Sequence, residues 1–106
     1  MNVPDSIKSA AERLHAARPQ ATIILFGSQA RGDAKPDSDT DFLVVLPEPP
    51  PSVRREMVEL TDLLRPLRLW AEVLVFSARR FRESAAVPGT LCHTVLREGQ
   101  VLYGRV

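Results

Sequence analysis

The sequence predicts a single α/β domain in which a β-sheet is covered by helices. Segments with helical and strand-like patterns alternate along the chain, which is the order that produces this architecture. The 106 residues, 44% of them hydrophobic, are enough for one modest core. Short apolar runs such as Thr22–Phe26 and Thr40–Leu46 are typical of strands buried within a sheet.

Several helical segments are expected between the strands. In the first, residues 4–18, apolar side chains recur every three or four positions. Asp5 or Ser6 is expected to cap its start, and Pro19 ends it. Ser52 is expected to cap the next long helix. The remaining helical segments are expected over Ser28–Arg31 and over residues 52–67, 78–84 and 90–97.

Four strands are predicted from apolar runs bounded by polar residues, glycine or proline. The second run is almost continuously apolar, which favours burial on both of its faces. The proline-rich residues 47–51 are interpreted as a stiff loop. The strands are expected over Thr22–Phe26, Thr40–Leu46, residues 69–76 and Gln100–Tyr103.

Composition and charge exclude several classes of protein. Fourteen Lys and Arg residues balance 13 Asp and Glu residues for a net charge of +1, so no strong nucleic-acid-binding surface is indicated. The single cysteine excludes an intrachain disulfide and suits a reducing compartment. No apolar run approaches the roughly 20 residues that span a bilayer, and the N-terminus lacks a signal-peptide pattern. We therefore expect a cytoplasmic protein without a membrane segment.

The most informative motif places a Gly-Ser pair and an Asp-x-Asp pair at the ends of the first two strands. Gly27 and Ser28 follow the first strand, and ten residues, 29 to 38, separate them from Asp39 and Asp41. Side chains two apart on a strand share a face, so the two acids should project together. Because close carboxylates repel unless a cation joins them, and turn amides bind phosphate, the motif favours a metal-bound triphosphate. The alternative is a plain polar loop.

Two further side chains are candidates for the same site. Glu72 is expected on the third strand among apolar neighbours, where an unpaired acid is costly to bury. It either completes the metal site or accepts a proton, or it is an exposed acid at a strand end that pairs with an arginine. Arg31 either contacts a phosphate or forms a surface ion pair with Asp33 or Asp37.

These residues resemble the nucleotidyltransferase superfamily that includes DNA polymerase beta, and within it the minimal nucleotidyltransferases. The resemblance rests on residues 27–32, on residues 38–41 and on the strand around Glu72, with weaker support from residues 97–103. It covers nearly the whole chain. It implies one minimal nucleotidyltransferase domain over residues 1–106, with a mixed, polymerase beta palm-like sheet of about four strands. Glu72 is a departure, since many members carry Asp there; Glu offers the same chemistry with a longer reach.

The resemblance also implies a role for each residue of the site. The residues at the Gly-Ser turn would bind the triphosphate of ATP, with Gly27 allowing close approach of the phosphates. The acidic residues would hold two Mg²⁺ ions and perform the acid–base chemistry. The implied nucleotide-binding residues are Gly27, Ser28 and Arg31. The implied metal-binding and catalytic residues are Asp39, Asp41 and Glu72.

Three functions follow from this resemblance. Minimal nucleotidyltransferases of this type pair with HEPN-domain toxin ribonucleases, which implies transfer of AMP from Mg-ATP to a toxin tyrosine. The small size agrees with an acceptor supplied by a partner, for which the segments after Ser77 are expected to form part of the contact surface. The alternatives are an antitoxin that neutralises a HEPN partner by binding alone, and a small-molecule nucleotidyltransferase that acts as a homo-oligomer.

Overall fold

A computed structural model describes residues 3–35 and 37–106. None of the helices in these two ranges is both long and apolar enough to cross a lipid bilayer. The strands are β1 (Thr22–Phe26), β2 (Thr40–Leu46), β3 (Ala71–Ser77) and β4 (Gln100–Tyr103). The helices are α1 (Asp5–Ala17), α2 (Ser28–Arg31), α3 (Val53–Leu63), α4 (Ala78–Ala85) and α5 (Leu91–Glu98), and a 3₁₀ turn (Arg65–Leu67) follows α3.

The strands form one mixed sheet in the order β3-β2-β1-β4. β1 runs antiparallel to both β2 and β4, whereas β2 and β3 are parallel. The predicted mixed sheet of four strands covered by helices is therefore confirmed. The register pairs Phe26 with Asp41 and Asp41 with Glu72. The sheet thus brings the end of β1 and two acidic residues to the same place.

Strand β2 is buried on both faces, as its apolar run predicted. Every residue of β2 except Asp41 is buried. Phe42 and Val44 belong to the larger core, which also includes buried residues of α1 and α3. Leu43 and Val45 belong to a second core formed with α4 and α5. Because alternate side chains of a strand share a face, Asp41 projects on the α4–α5 side of the sheet.

Helices α1, α3, α4 and α5 and strand β3 differ in their bounds from the predicted ranges, and two of these differences have a clear local cause. Helix α1 begins after Pro4, whose extended backbone provides the N-cap without any side-chain hydrogen bond, so the expected capping by Asp5 or Ser6 is wrong. Asp5 instead lies in the first turn, where its charge interacts favourably with the helix dipole. Helix α3 ends at Leu63 rather than near residue 67, because Pro66 lacks the N–H that a continuing α-helix requires.

A bidentate ion pair joins the end of α1 to α3. Arg18 Nε donates to Glu56 Oε2 at 2.6 Å, and Arg18 Nη2 donates to Glu56 Oε1 at 2.9 Å. These hydrogen bonds lower the pKa of Glu56 and raise that of Arg18. Charge-assisted forks of this kind add geometric specificity to packing. The pair fixes α3 beside the sheet, next to β3.

His15 and Trp70 lie in different environments. His15 is half-buried, and its ring stacks on Tyr103, with 4.2 Å between centroids and 6° between planes. Trp70 is 76% exposed and therefore lies outside the core. Cys92 is buried in the second core, and burial raises the pKa of its thiol.

Thr40, which lies between Asp39 and Asp41 in the sequence, tests how a buried hydroxyl group affects the stability of the fold. It is 0% exposed, and its Oγ1 has no hydrogen-bond partner within residues 3–35 and 37–106. An unpaired buried hydroxyl costs about 1–3 kcal/mol. We expect Thr40→Val to raise the free energy of unfolding by about 1 kcal/mol in urea denaturation, since a methyl group replaces the unpaired hydroxyl.

Thr22→Val is the matched control for this change. Thr22 is also buried, but its Oγ1 donates to the Arg105 carbonyl at 2.7 Å. The same substitution should therefore lower the free energy of unfolding by about 1 kcal/mol, because the carbonyl loses its partner. Equal losses at Thr40 and Thr22 would show that the Thr40 hydroxyl is hydrogen-bonded to water.

Candidate active site

The site begins at the turn between β1 and α2. Gly27 is the N-cap of α2 and has φ +76° and ψ −157°, a conformation that is essentially restricted to glycine. The amides of Ala30 and Arg31 both donate to the Gly27 carbonyl at 3.1 Å, which closes the turn. Ala30 is buried in the larger core and anchors α2 there. The backbone amide of Ser28 lies at the start of α2, before the first hydrogen bond within the helix. It therefore has no acceptor inside the helix.

The carboxylate of Asp41 lies directly against this turn. A Cβ atom placed on Gly27 would be 2.6 Å from Asp41 Oδ2, which is closer than real Cβ contacts allow. Position 27 therefore requires glycine for its backbone angles and for the space that Asp41 occupies. The sequence predicted Gly27 from the close approach of a phosphate, whereas the close approach found in the structure is that of a carboxylate.

Two neighbouring carboxylates act on Asp41 at this point. Burial raises the pKa of Asp41 above its ordinary value, and the negative charges of Glu72 and Asp39 raise it further. Arg31 acts in the opposite direction. Asp41 is half-buried, while Asp39 and Glu72 are exposed. The structure thus brings the three predicted acids into electrostatic contact, with Asp41 at the centre.

Glu72 differs from its predicted environment. It was expected among apolar neighbours, but it is exposed on β3, opposite Asp41 in the register. The alternative prediction was an exposed acid paired with an arginine. Its exposure is confirmed, but within the described ranges Glu72 forms no ion pair with an arginine. Its carboxylate therefore remains available on the acidic side of the sheet.

Arg31 forms the surface ion pair that the sequence allowed. Its Nε lies 3.3 Å from Asp33 Oδ2, and its Nη1 lies 3.8 Å from Glu98 Oε2. The pair with Asp33 was one of the predicted alternatives, while the contact with Glu98 joins α2 to the distant α5 and has no local sequence signal. All three side chains are substantially exposed, so these pairs are weak. Arg31 can therefore exchange them for another anion.

The residues present fit a hard divalent cation that arrives with its phosphate ligands. No set of three or more His, Cys, Asp or Glu side chains in residues 3–35 and 37–106 is already arranged to enclose a metal ion. Mg²⁺, however, usually binds through one or two carboxylates together with substrate phosphates and water. Burial and the neighbouring charges of Glu72 and Asp39 together raise the pKa of Asp41, and a cation beside these carboxylates would favour its charged form.

The fold and this acidic site define an α/β protein suited to binding a phosphorylated substrate. Residues 6–86 match the model of a family described as a nucleotidyltransferase domain. The match covers most of the chain and includes every candidate site residue, so the protein belongs to the nucleotidyltransferase domain family. Membership of this family indicates transferase activity with a nucleoside triphosphate and a divalent metal.

Two solved structures share the fold. A protein from Sulfolobus solfataricus, provisionally identified as a nucleotidyltransferase, is 21% identical with a TM-score of 0.63. The alignment covers 95% of this chain and 79% of that one. A structure described as a toxin-antitoxin with AMP-PNP is 24% identical with a TM-score of 0.67, covering 92% of this chain and 73% of that one. No curated protein sequence matches the chain.

The contact between Gly27 and Asp41 can be tested with a glycine substitution. We expect Gly27→Ala to lower the free energy of unfolding by more than the roughly 1–3 kcal/mol of a sparsely populated backbone conformation, because the Asp41 carboxylate must also move. We further expect Mg²⁺-dependent nucleotide affinity, measured by calorimetry, to fall at least about tenfold, the equivalent of about 1.4 kcal/mol.

Gly89→Ala is the control for backbone strain. Gly89 has φ +89°, and no atom lies within 4 Å of a Cβ placed there. This variant should lose stability from strain alone and retain nucleotide affinity. Equal nucleotide affinity in the Gly27 and Gly89 variants would mean that the turn is structural only.

The raised pKa of Asp41 makes a prediction about pH. The folded state holds the Asp41 proton more tightly than the unfolded state, whose pKa is about 3.8, so ionisation of Asp41 above that pH destabilises the metal-free protein. Asp41→Asn should therefore unfold at higher urea concentration than the wild type in EDTA at pH 7. The advantage should shrink as the pH falls through the raised pKa of folded Asp41 and disappear below about 3.8, because the wild-type residue is then neutral in both states.

Asp37→Asn serves as the control, since Asp37 is an exposed loop residue outside the acidic cluster. It should give no comparable gain. Added Mg²⁺ should stabilise the wild type more than Asp41→Asn. A pH-independent difference between Asp41→Asn and the wild type would contradict the charge repulsion.

Proposed function

We propose that this protein transfers AMP from Mg-ATP to a protein hydroxyl, a tyrosine of a HEPN-domain toxin, and thereby acts as an antitoxin. The single observation that carries the proposal is the position of the Asp41 carboxylate against the Gly27 turn, with Glu72 and Asp39 beside it. This arrangement offers a cation-binding carboxylate within reach of turn amides that suit phosphate. Membership of the nucleotidyltransferase family supports the class of reaction.

The residues of the site account for the binding of the triphosphate. The Ser28 hydroxyl and the first amides of α2 would donate hydrogen bonds to phosphate oxygens. Arg31 would exchange its weak ion pairs for a phosphate contact. Asp39 and Asp41 would hold Mg²⁺, which supplies charge neutralisation and orients the phosphates when it is bound.

The chemistry requires one bond to form and one to break. The acceptor oxygen forms a bond to the α-phosphorus, and the bond from that phosphorus to the bridging oxygen of the β-phosphate breaks. Pyrophosphate leaves with the electron pair, and the hydroxyl proton passes to a carboxylate. Glu72 is suited to this role, because it is exposed and lies opposite Asp41 in the register.

A partner protein as acceptor is supported by the similar toxin-antitoxin structure that contains AMP-PNP. All described helices and strands belong to one sheet and its covering layers, which agrees with an acceptor supplied by another molecule. The region after Ser77 exposes Leu91, Leu96 and Val101, which supports its predicted contribution to a protein contact.

Binding without catalysis is the second candidate. The observation that favours it is the open acidic cluster, in which no three metal-binding side chains of the described chain are gathered for a metal. Such a protein would suppress a toxin by covering its surface. The two candidates differ in whether the toxin gains mass, so one experiment separates them.

The test incubates the purified complex with a HEPN-domain toxin in Mg-ATP and measures the intact mass of the toxin. We expect AMP addition at a tyrosine and at least a hundredfold lower rate, about 2.7 kcal/mol in the barrier, for Asp39→Asn. Asp37→Asn, two residues away in the same loop, should keep the wild-type rate. Suppression of the toxin without a mass change would establish the binding-only function. Modification of a small hydroxyl compound, with no binding to the toxin, would contradict both.

A further inference from the structure

Strand β3 is an edge strand whose outward backbone groups can be identified. Among the described residues, only those of β2 pair with it. The Thr40 amide donates to the Trp70 carbonyl at 2.6 Å, so the even-numbered residues of this segment direct their backbone groups toward β2. The odd-numbered residues face outward, and the Val73 amide accordingly donates to Thr61 Oγ1 at 3.3 Å instead. Helix α3 thus satisfies one outward amide of the edge.

The next outward amide is that of Val75. Within residues 3–35 and 37–106 it has no side-chain acceptor of the kind that Thr61 provides for Val73. β3 runs for seven residues and is mainly apolar. An unpaired apolar edge of this length is a template on which another chain can add a strand.

Cavities lie along this edge between β3 and α3. One of about 540 Å³ is lined by residues that include Met57, Leu74 and Phe76. The next, of about 270 Å³, is lined by residues that include Val58 and Glu72. Val58 is 55% exposed, although it is apolar. We call this edge and its cavities the β3 groove; it offers side-chain pockets beside an unpaired backbone.

The ends of the β3 groove carry positive charge. Arg80 lines the cavity at one end, and Arg68 lines a cavity with the exposed Trp70 at the other. Neither arginine has an ion-pair partner among the described residues, whereas Arg65 between them is paired with Asp62 at 3.1 Å. An occupant of the groove should therefore be apolar at its centre and acidic at its ends.

We propose that the β3 groove binds an extended segment of the acceptor protein as an added strand, and that this segment carries the hydroxyl that receives the nucleotide. The inference rests on the proposed transfer of AMP to a protein hydroxyl and specifies how the acceptor is presented. Backbone groups of Val75 pair with the segment, its apolar side chains fill the pockets, and its acidic ends meet Arg68 and Arg80.

The position of Glu72 connects the groove to the chemistry. Glu72 lies on β3 and shares its register with Asp41. A residue of the added strand opposite Glu72 would have its Cβ about 4.5–5.5 Å from that of Glu72, on the same face of the sheet. A tyrosine at that point extends over the acids, so its hydroxyl can lose a proton to a carboxylate as its oxygen bonds to the α-phosphorus.

The experiment uses the full chain and a synthetic peptide with a central tyrosine, two valines on each side and an Asp-Glu pair at each end. Hydrogen exchange of the isotope-labelled protein is followed by NMR with and without the peptide. We expect the Val75 amide to become at least tenfold more protected, because it gains a strand partner. The Leu74 and Phe76 amides, which already face β2, should be protected in both samples.

Two variants and one matched control locate the peptide. Val58→Glu and Ala71→Pro, which removes an outward N–H, should each weaken peptide binding at least tenfold. Ala16→Glu should leave binding unchanged, since Ala16 is an exposed apolar residue of α1 outside the groove. Thermal unfolding of each variant checks that the fold is retained.

The outcomes separate the groove from the reaction. Peptide binding with protection of Val75, but no AMP on the tyrosine in Mg-ATP, would uphold the groove and contradict the proposed transfer. AMP transfer to a toxin at unchanged rate in both Val58→Glu and Ala71→Pro would overturn the groove and leave the transfer intact. No binding of the peptide at millimolar concentration, or protection of Val75 by a dimer of the chain itself, would also overturn it.

Discussion

The placement of the Asp41 carboxylate against the Gly27 turn is the constraint on which the rest of this structure depends. It requires a glycine at the end of β1, because φ +76° and ψ −157° are essentially restricted to glycine and a Cβ there would displace Asp41 Oδ2. It also requires the antiparallel register that sets Phe26 opposite Asp41 and the parallel register that sets Glu72 beside it. The mixed sheet is thus the means by which a turn and the acids reach one place.

This placement assembles the acidic site, but it lowers the stability of the folded protein when no metal is bound. Asp41 is partly buried beside two other acids, and its raised pKa shows that the folded protein opposes its ionisation. The surrounding strand offsets that repulsion, since every other residue of β2 is buried. Carboxylates with a raised pKa that are held in place by a well-packed core are typical of functional sites. Function can require an arrangement of charges that does not itself stabilise the fold.

Much of the fold follows from local sequence, whereas the contacts within the site do not. The bounds of β1, α2, β2 and β4 match their predicted ranges, because short apolar runs end at glycine, proline or polar residues. Ser52 caps α3 as predicted, accepting from the Arg55 amide at 3.2 Å. The exposure of Glu72 was only one of two alternatives, because it depends on which strand lies at the edge of the sheet. The stacking of His15 on Tyr103 was not predicted, because it is a contact between residues distant in the sequence. The motif predicted which residues form the candidate site, and their roles in binding and catalysis remain proposals.

The topology that exposes Glu72 also leaves the edge of β3 open. If β3 were a central strand, a further strand would cover its outer side and enclose the acid from that direction. Open apolar edges invite aggregation, and proteins usually cover them. Here α3 covers the edge only in part, since Thr61 satisfies the Val73 amide and no side chain in the described part of the chain does so for Val75. An edge left unpaired directly beside the acids is explained if the missing strand belongs to the molecule that the acids act upon, because the acceptor would then complete both the sheet and the site.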